Sequence, residues 1–224
     1  MKGKMKTGSI VILLLAVASL CNAQPPEKLL NEYRNNLNAL RKAHPNVREM
    51  PDIKFFFFGM GDRRKMIYKN GSLIDAKTKE MLYQWKVLEE IIVPPAYSVS
   101  LKTAGGPVQI TEDRNGVYLT QKGHRKILAS SKLNLPVFKD YAYASVLKVL
   151  LHEILINIDN GLPLPNIMVY KKLWYRDATL MAMVLKETGN LRLIKDWILN
   201  IRAPLLTGTI MVSVKQITPG RCCF

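Results

Sequence analysis

Lys171-Lys172-Leu173-Trp174-Tyr175-Arg176-Asp177 runs directly into Ala178-Thr179-Leu180-Met181-Ala182-Met183-Val184-Leu185. Small and apolar residues at helical spacing predict a helix over 178–187. Asp177 then stands at its start, where a carboxylate meets free backbone N–H groups and the positive end of the helix dipole. Thr188-Gly189-Asn190 is a turn signal and 191–201 is helical again, so 178–201 reads as a short-loop αα-hairpin. The residues ahead of the helix are chemically loaded. Two aromatic faces can stack on the apolar side of a pyranose, and an Arg fork beside a carboxylate can donate to and accept from vicinal hydroxyls. The structural alternative is a capping Asp177, an Arg176 paired with a surface acid and a Trp174 in the core.

Working outward, residues 141–158 read as one helix that is apolar almost all round, with Val146, Leu147, Val149, Leu150, Leu151, Ile154, Leu155, Ile156 and Ile158. Such a helix needs cover on both faces, as in the inner ring of a two-layer helical array. Asn160-Gly161 is read as its cap, with Pro163 and Pro165 blocking continuation. From about Asp52 to Leu135 the signals are those of strands. Phe55-Phe56-Phe57-Phe58 before Gly59 and Gly61 is suited to a buried strand. Asn70-Gly71 between Met66-Ile67-Tyr68 and Leu73-Ile74 is a hairpin signal. Gly105-Gly106, Asn115-Gly116 and Lys122-Gly123 separate β-rich pieces at 97–101, 108–111, 117–120 and 126–129, which together read as an antiparallel meander with Tyr83 and Trp85 in its core. Before it, Pro25-Pro26-Glu27 opens a helix whose apolar stripe is Leu29, Leu30, Tyr33, Leu37 and Leu40, a docking helix ended by Pro45.

The ends are of a different character. Residues 1–23 have the form of a signal peptide: Lys2, Lys4 and Lys6, an apolar stretch from Ile10 to Leu20 too short to span a bilayer, and Ala23 before a cleavage point at Gln24. A periplasmic or secreted location follows. Lipidation at Cys21 is disfavoured because Leu20, not a small residue, precedes it. The other cysteines are Cys222 and Cys223, so 24–202 offers no disulfide framework and no thiolate metal site. Of the +16 formal charge, residues 1–23 carry +3 and residues 203–224 carry +2, leaving +11 between them. Those cations are scattered, at Arg41-Lys42, Arg63-Arg64-Lys65 and Lys171-Lys172, and read as a solvated basic surface. Export and the scatter both argue against a nucleic-acid partner.

Residues 203–224 have no acid, two adjacent cysteines and neither helical nor strand period. A frame slip accounts for them. Reverse translation of 206–224 with freely chosen synonymous codons, read from the third base, gives DRNNNGVSEADNPGQVLF, an acidic polar loop followed by a glycine turn and an apolar start. The expectation is an out-of-frame tail on a truncated chain.

The 174–177 motif, the hairpin around Thr188-Gly189-Asn190 and the apolar helix before them resemble the six-hairpin, (α/α)6-toroid glycosidases over about residues 136–202. A W-x-R-D helix start recurs in that superfamily. The resemblance implies an α+β chain: a signal peptide at 1–23, an N-terminal helix and β-module at 24–135, and the first helical hairpins of an incomplete toroid at 136–202. It implies that Arg176 and Asp177 hold hydroxyls of the sugar at the cleaved end, with Trp174 or Tyr175 as stacking platform. It implies a glycoside hydrolase-like, carbohydrate-active protein whose partner is an oligo- or polysaccharide. One and a half hairpins cannot close a six-hairpin ring, so this chain alone is expected to be inactive. The alternative is a non-enzymatic exported module that binds carbohydrate or protein through the same residues.

A glycosidase needs two carboxyl groups facing each other across the scissile bond, and no pair here is marked by spacing. Glu153 could face a lumen or solvent. His152 beside it reads as a hydrogen-bonded core histidine, because adjacent residues diverge on a helix and position 156 is Ile156, so no HExxH exists. Gly59-Met60-Gly61 is a lone GxG with no helix pattern after it. No cofactor and no metal site is expected.

Overall fold

The computed structural model describes residues 26–43 and 53–201. The expected signal peptide at 1–23, Cys21, Pro25, Pro45 and residues 203–224 with Cys222 and Cys223 lie outside the described residues. Within them the fold is mixed α+β, with antiparallel sheets and four α-helices.

Helix α1 (Pro26–Ala43) turns Tyr33 into the molecule, with Leu29, Leu30, Leu37 and Leu40 half-buried around it. The predicted stripe is therefore its docking face. Nine strands follow as an unbroken meander. Strands β1 (Phe55–Phe58), β2 (Met66–Lys69), β3 (Ser72–Asp75) and β4 (Met81–Gln84) form one sheet in that order. Strands β5 (Val87–Val93), β6 (Ser98–Thr103), β7 (Gly106–Glu112), β8 (Gly116–Gln121) and β9 (His124–Ser130) form the other. A 3₁₀ turn at Pro94–Ala96 separates β5 from β6.

Turn chemistry sets the register. Lys69 pairs with Ser72 and Gln121 with His124, leaving two-residue loops. Those loops, Asn70-Gly71 and Lys122-Gly123, have positive φ at both positions, which matches the twist of the flanking strands; Asn and Gly tolerate it, and Lys122 is held there by the turn. The sheets face one another as a sandwich. Phe56, Phe58, Met66, Tyr68 and Leu73 from one meet Val99, Leu101, Val108, Ile110, Val117 and Leu119 from the other. Tyr83 and Trp85 stack on each other at 5.6 Å and pack against this core from its margin. The Phe55–Phe58 run is not buried on both faces: Phe56 and Phe58 point inward, whereas Phe55 is 51% exposed. Alternation on a sheet with one wet face is the physical reason.

Helix α2 (Ala144–Ile156) is shorter than the 141–158 expected. Asn160-Gly161 does not cap it. It is the tip of a two-stranded hairpin, β10 (Ile158–Asp159) with β11 (Leu162–Pro163), again with positive φ at both turn residues. Asn-Gly serves a helix end or a hairpin equally well, and here the hairpin uses it. Helix α3 (Tyr175–Glu187) starts three residues earlier than expected. After the 188–190 turn come a 3₁₀ turn (Leu191–Ile194) and a short α4 (Lys195–Leu199) rather than one helix.

A second core joins these helices to the end of the sandwich. Met60, Tyr97 and Leu133 meet Leu151 and Leu155 of α2, Met181 and Leu185 of α3, and Leu193 and Ile194. Asn190, fully buried, latches the hairpin turn to the post-sandwich segment: its Nδ2 donates to the Asn134 carbonyl (2.7 Å) and its Oδ1 accepts the Asn134 amide (2.9 Å). Cover on α2 is one-sided, since Leu150 is 53% exposed.

Candidate functional site

The 174–177 motif is positioned by the loop before α3. Asn157, at the end of α2, accepts the Ile167 amide on Oδ1 (2.8 Å), and Asn166 Oδ1 accepts the amides of Met168 and Val169 (2.9 Å each). Trp174 is extended at the helix N-cap and Tyr175 begins the helix, with the Ala178 amide donating to the Trp174 carbonyl at 2.9 Å. No side chain caps this N-terminus. Asp177 lies in the first turn, where its charge meets the positive end of the helix dipole without a side-chain capping hydrogen bond at the N-cap residue.

Both aromatic side chains are half-exposed, Trp174 at 51% and Tyr175 at 50%. Trp174 meets Tyr170 edge-on at 6.3 Å, and Tyr175 lies over Trp197 at 6.5 Å with the rings 28° apart. Trp174, Tyr175 and Arg176 line one open hollow together with Leu173. Asp177 turns the other way, into a groove of 290 Å³ between α2 and α3. The groove's polar lining is Glu153, Asn157 and Asp177, and its apolar walls include Ile154, Leu180 and Val184. The four predicted residues are thus contiguous in sequence but serve two adjoining surfaces.

The groove holds unmet hydrogen-bonding capacity. Asp177 Oδ1 is 3.7 Å from Arg176 Nη2, beyond a good hydrogen bond, and Oδ2 is buried with no donor among the described residues. Glu153 on the opposite wall is exposed by surface area, yet loss of solvation among its packed neighbours pushes its carboxyl above the usual range. An orphaned carboxylate oxygen can only accept. Sequence reasoning named Glu153 without placing it, because its alignment with Asp177 depends on how α2 packs against α3.

A second polar cluster lies at the joint between the sandwich and α2. Glu112, at the end of β7, accepts the amides of Gly59 (2.9 Å) and Met60 (2.8 Å) and Arg63 Nη1 (2.8 Å). Arg63 reaches the Asp113 carbonyl (2.7 Å) and, through Nε and Nη2, the Ser131 carbonyl. Lys65 Nζ donates to the carbonyls of Gly59 and of Gly61 (2.6 Å), and the Gly61 amide reaches the Leu155 carbonyl of α2 (2.8 Å). Arg63 and Lys65 are buried, so the reading of Arg63-Arg64-Lys65 as solvated surface is corrected at two of its three positions. Gly59 has φ +106°, and a Cβ there would meet the Arg64 carbonyl oxygen at 2.2 Å. The glycines around Met60 thus serve a tight backbone path beneath a carboxylate, not a phosphate loop. Burial pushes the Glu112 carboxyl up, opposed by its two amide donors and Arg63. Burial also lowers the Lys65 ammonium to about 8, with Glu112 pulling it back.

His152 completes the joint. It is fully buried, stacked on Phe56 (5.1 Å, 15°) and tilted against Tyr97 (4.8 Å), with Nε2 3.9 Å from Glu112 Oε2. It is a core histidine, as expected, but not a hydrogen-bonded one: neither nitrogen has a partner among the described residues. Burial, then the nearby Lys65 charge, lower it to about 3; the Phe57 backbone works the other way without reaching hydrogen-bond geometry.

Among the described residues no three His, Cys, Asp or Glu side chains come together as a metal site, and no helix is long and apolar enough to cross a membrane. No protein-family model, curated protein or solved structure matches the chain.

Proposed function

We propose that this chain belongs to an exported, glycoside hydrolase-like protein of (α/α)6-toroid type and contacts oligo- or polysaccharide through Trp174, Tyr175, Arg176 and Asp177. The observation that carries this reading is the partly exposed Asp177 side chain lining a groove that adjoins two half-exposed aromatic faces. Saccharides are the ligand class that needs both. A pyranose presents an apolar C–H face for stacking and hydroxyls that donate to a carboxylate oxygen. In this arrangement a ring lies over Trp174 or Tyr175, one hydroxyl donates to Asp177, and Arg176 donates to a neighbouring oxygen. Glu153 lines the same groove as Asp177. Exposed Leu150, Leu180, Met183 and Leu199 support an arrangement in which further helices cover this end, as in a ring of hairpins.

A second reading is favoured by the continuous core that joins the helices to the sandwich through Met60, Tyr97 and Leu133. On that reading the protein is a binding module with no turnover. One experiment separates the two and tests both: the purified chain is titrated with oligosaccharides by intrinsic tryptophan fluorescence, with reducing-end release measured in parallel. Binding by the 224-residue chain itself supports the module, and binding with release that appears only in a chain extended through the shifted reading frame supports the hydrolase. A flat titration across neutral and charged oligosaccharides, equal to that of Trp174→Ala, would rule out the module in this chain and, in the extended chain, the hydrolase as well.

A further inference from the structure

Independently of the saccharide reading, we propose that the outer face of the four-stranded sheet is a docking surface for an anionic lipid bilayer. Directly opposed residues of antiparallel strands point to the same side of a sheet. Here Phe57 opposes Ile67, Ile67 opposes Ile74, and Ile74 opposes Met81, so one apolar row crosses all four strands. The bulge in β4 keeps Met81 on this face, since Leu82 and Tyr83 both pack on the inner core. Phe55 extends the row along β1, its ring edge-on to Phe57 at 5.8 Å. None of these five side chains belongs to either core, and no helix among the described residues packs over this sheet. Phe55 and Met81 are about half-exposed, and Phe57, Ile67 and Ile74 are half-buried. The corresponding row on the outside of the other sheet is Ser100, Gln109, Thr120 and Arg125. Polar residues are what a wet sheet face ordinarily carries, so the apolar row is the exception.

The rim of the row identifies the occupant. Lys69 opposes Phe55 on one side and Ser72 on the other, and so shares their face. Lys77 and Lys79 are exposed on the turn that joins Ile74 to Met81. Lys79 Nζ donates to the Ala76 carbonyl (2.7 Å), and none of the three ammonium groups meets a carboxylate among the described residues. The acids of this rim are already answered: Asp75 by Arg64 and by the amides of Lys77 and Thr78, and Glu80 by Arg64 at 3.7 Å. An apolar face bordered by cations suits an anionic interface, where apolar side chains enter the acyl boundary and lysines meet headgroup phosphates. Size argues against a second copy of the chain. Three strand spacings make the row about 14 Å long and two residues deep, a small part of the roughly 800 Å² per partner that a standard protein interface buries. A bilayer sets no such minimum, because apolar burial and charge add side chain by side chain. The basic excess over residues 24–202, which the saccharide site does not use, attracts the chain to the same kind of surface.

The test is flotation of the 224-residue chain with mixed phosphatidylglycerol–phosphatidylcholine vesicles, against pure phosphatidylcholine vesicles, at low ionic strength. The chain should float with the anionic vesicles and not with the neutral ones, and salt should release it. The double variant Phe55→Thr/Met81→Thr, polar yet suited to an exposed strand, should weaken the association about tenfold. Lys69→Gln and Lys77→Gln should each weaken it about fivefold. Circular dichroism of each variant, matching that of the natural chain, separates lost binding from a lost fold. Equal flotation with both kinds of vesicle would overturn the inference by removing the role of charge. Flotation of the double variant equal to that of the natural chain would overturn it as well, by placing the contact elsewhere in the chain. Absence of flotation would overturn it outright. If sedimentation velocity then shows a self-association that the double variant abolishes, the face is an interface between protein chains instead.

Discussion

Two arginine–carboxylate pairs in this molecule use the same chemistry to opposite effect. Arg63 and Glu112 are both fully buried, 2.8 Å apart, and Arg63 and Glu112 meet further backbone partners on either side. Arg176 and Asp177 are adjacent in sequence, 3.7 Å apart, with one side chain in solvent and one carboxylate oxygen buried without a donor. The first pair closes a joint between the two sheets, the 131 segment and α2. The second leaves capacity open. A buried charge has to be answered by the fold itself, so a pair the fold leaves half-answered at a surface is the better place to look for a ligand.

The widest separation between the two pairs should appear in stability. Glu112→Gln leaves Arg63 buried without a counter-charge, and breaking one side of a buried pair costs about 3–5 kcal/mol. Denaturant unfolding should show this as a large fall in midpoint with the slope preserved. A loss below about 1 kcal/mol would place the joint in the same class as a surface bridge and erase the comparison.

A pH series sharpens the same joint. The His152 imidazole sits near 3 in the folded chain against an ordinary 6.5. The unfolded chain therefore binds this proton more readily, so its contribution is fully present above 6.5 and is lost as pH falls towards 3. The slope approaches about 1.4 kcal/mol per pH unit within that window. Glu112 acts with the opposite sign: its raised carboxyl takes up a proton earlier when folded, which favours the folded state as pH drops. The readout is accordingly a difference. His152→Phe keeps a ring between Phe56 and Tyr97 and removes the titration. The stability of the natural protein relative to this variant should decline between pH 6.5 and 4. A pH-independent difference would show that His152 does not enter the core as the neutral imidazole.

At the open pair the expected effects move from stability to binding. Asp177→Asn should lower saccharide affinity about tenfold, the worth of one hydrogen bond to a charged acceptor. It should change unfolding by under about 1 kcal/mol, since only the first-turn dipole interaction is lost. Equal losses in both measurements would mean that Asp177 holds α3 in place and nothing more.

How much of this was legible in sequence depended on how local the cause was. The hairpin at Asn70-Gly71 was legible because both residues tolerate positive φ, and the one at Lys122-Gly123 through its glycine alone. The 174–177 motif was legible because its members are contiguous. Strands β4 and β5 carry no strong turn signal at Gln84–Val87, and their exposed faces, with Met81, Leu88 and Ile91 in solvent, blur the alternation. Asn160-Gly161 was misread as a helix cap because nothing local distinguishes the two uses. The burial of Arg63 and Lys65 but not Arg64 is decided by Glu112 about fifty residues away and by backbone carbonyls at the sandwich end. No window of sequence contains that information. Glu153 joins Asp177 for a similar reason, through helix packing and not through spacing.

The smallest expected effect is also the one on which the contrast finally rests. Arg176→Ala should alter stability by no more than about 0.5 kcal/mol, because a solvent-facing guanidinium at 3.7 Å from its carboxylate gains little over hydration. Arg63→Ala, the same truncation at the joint, removes contacts to Glu112, Asp113 and Ser131 together and should be severe. Thermal unfolding of the two variants side by side checks the difference directly. Should Arg176→Ala cost more than about 1 kcal/mol, Arg176 would be answering a structural demand hidden at the start of α3. The open pair would then be a second joint, and the assignment of Trp174, Tyr175, Arg176 and Asp177 to a ligand would fall with it.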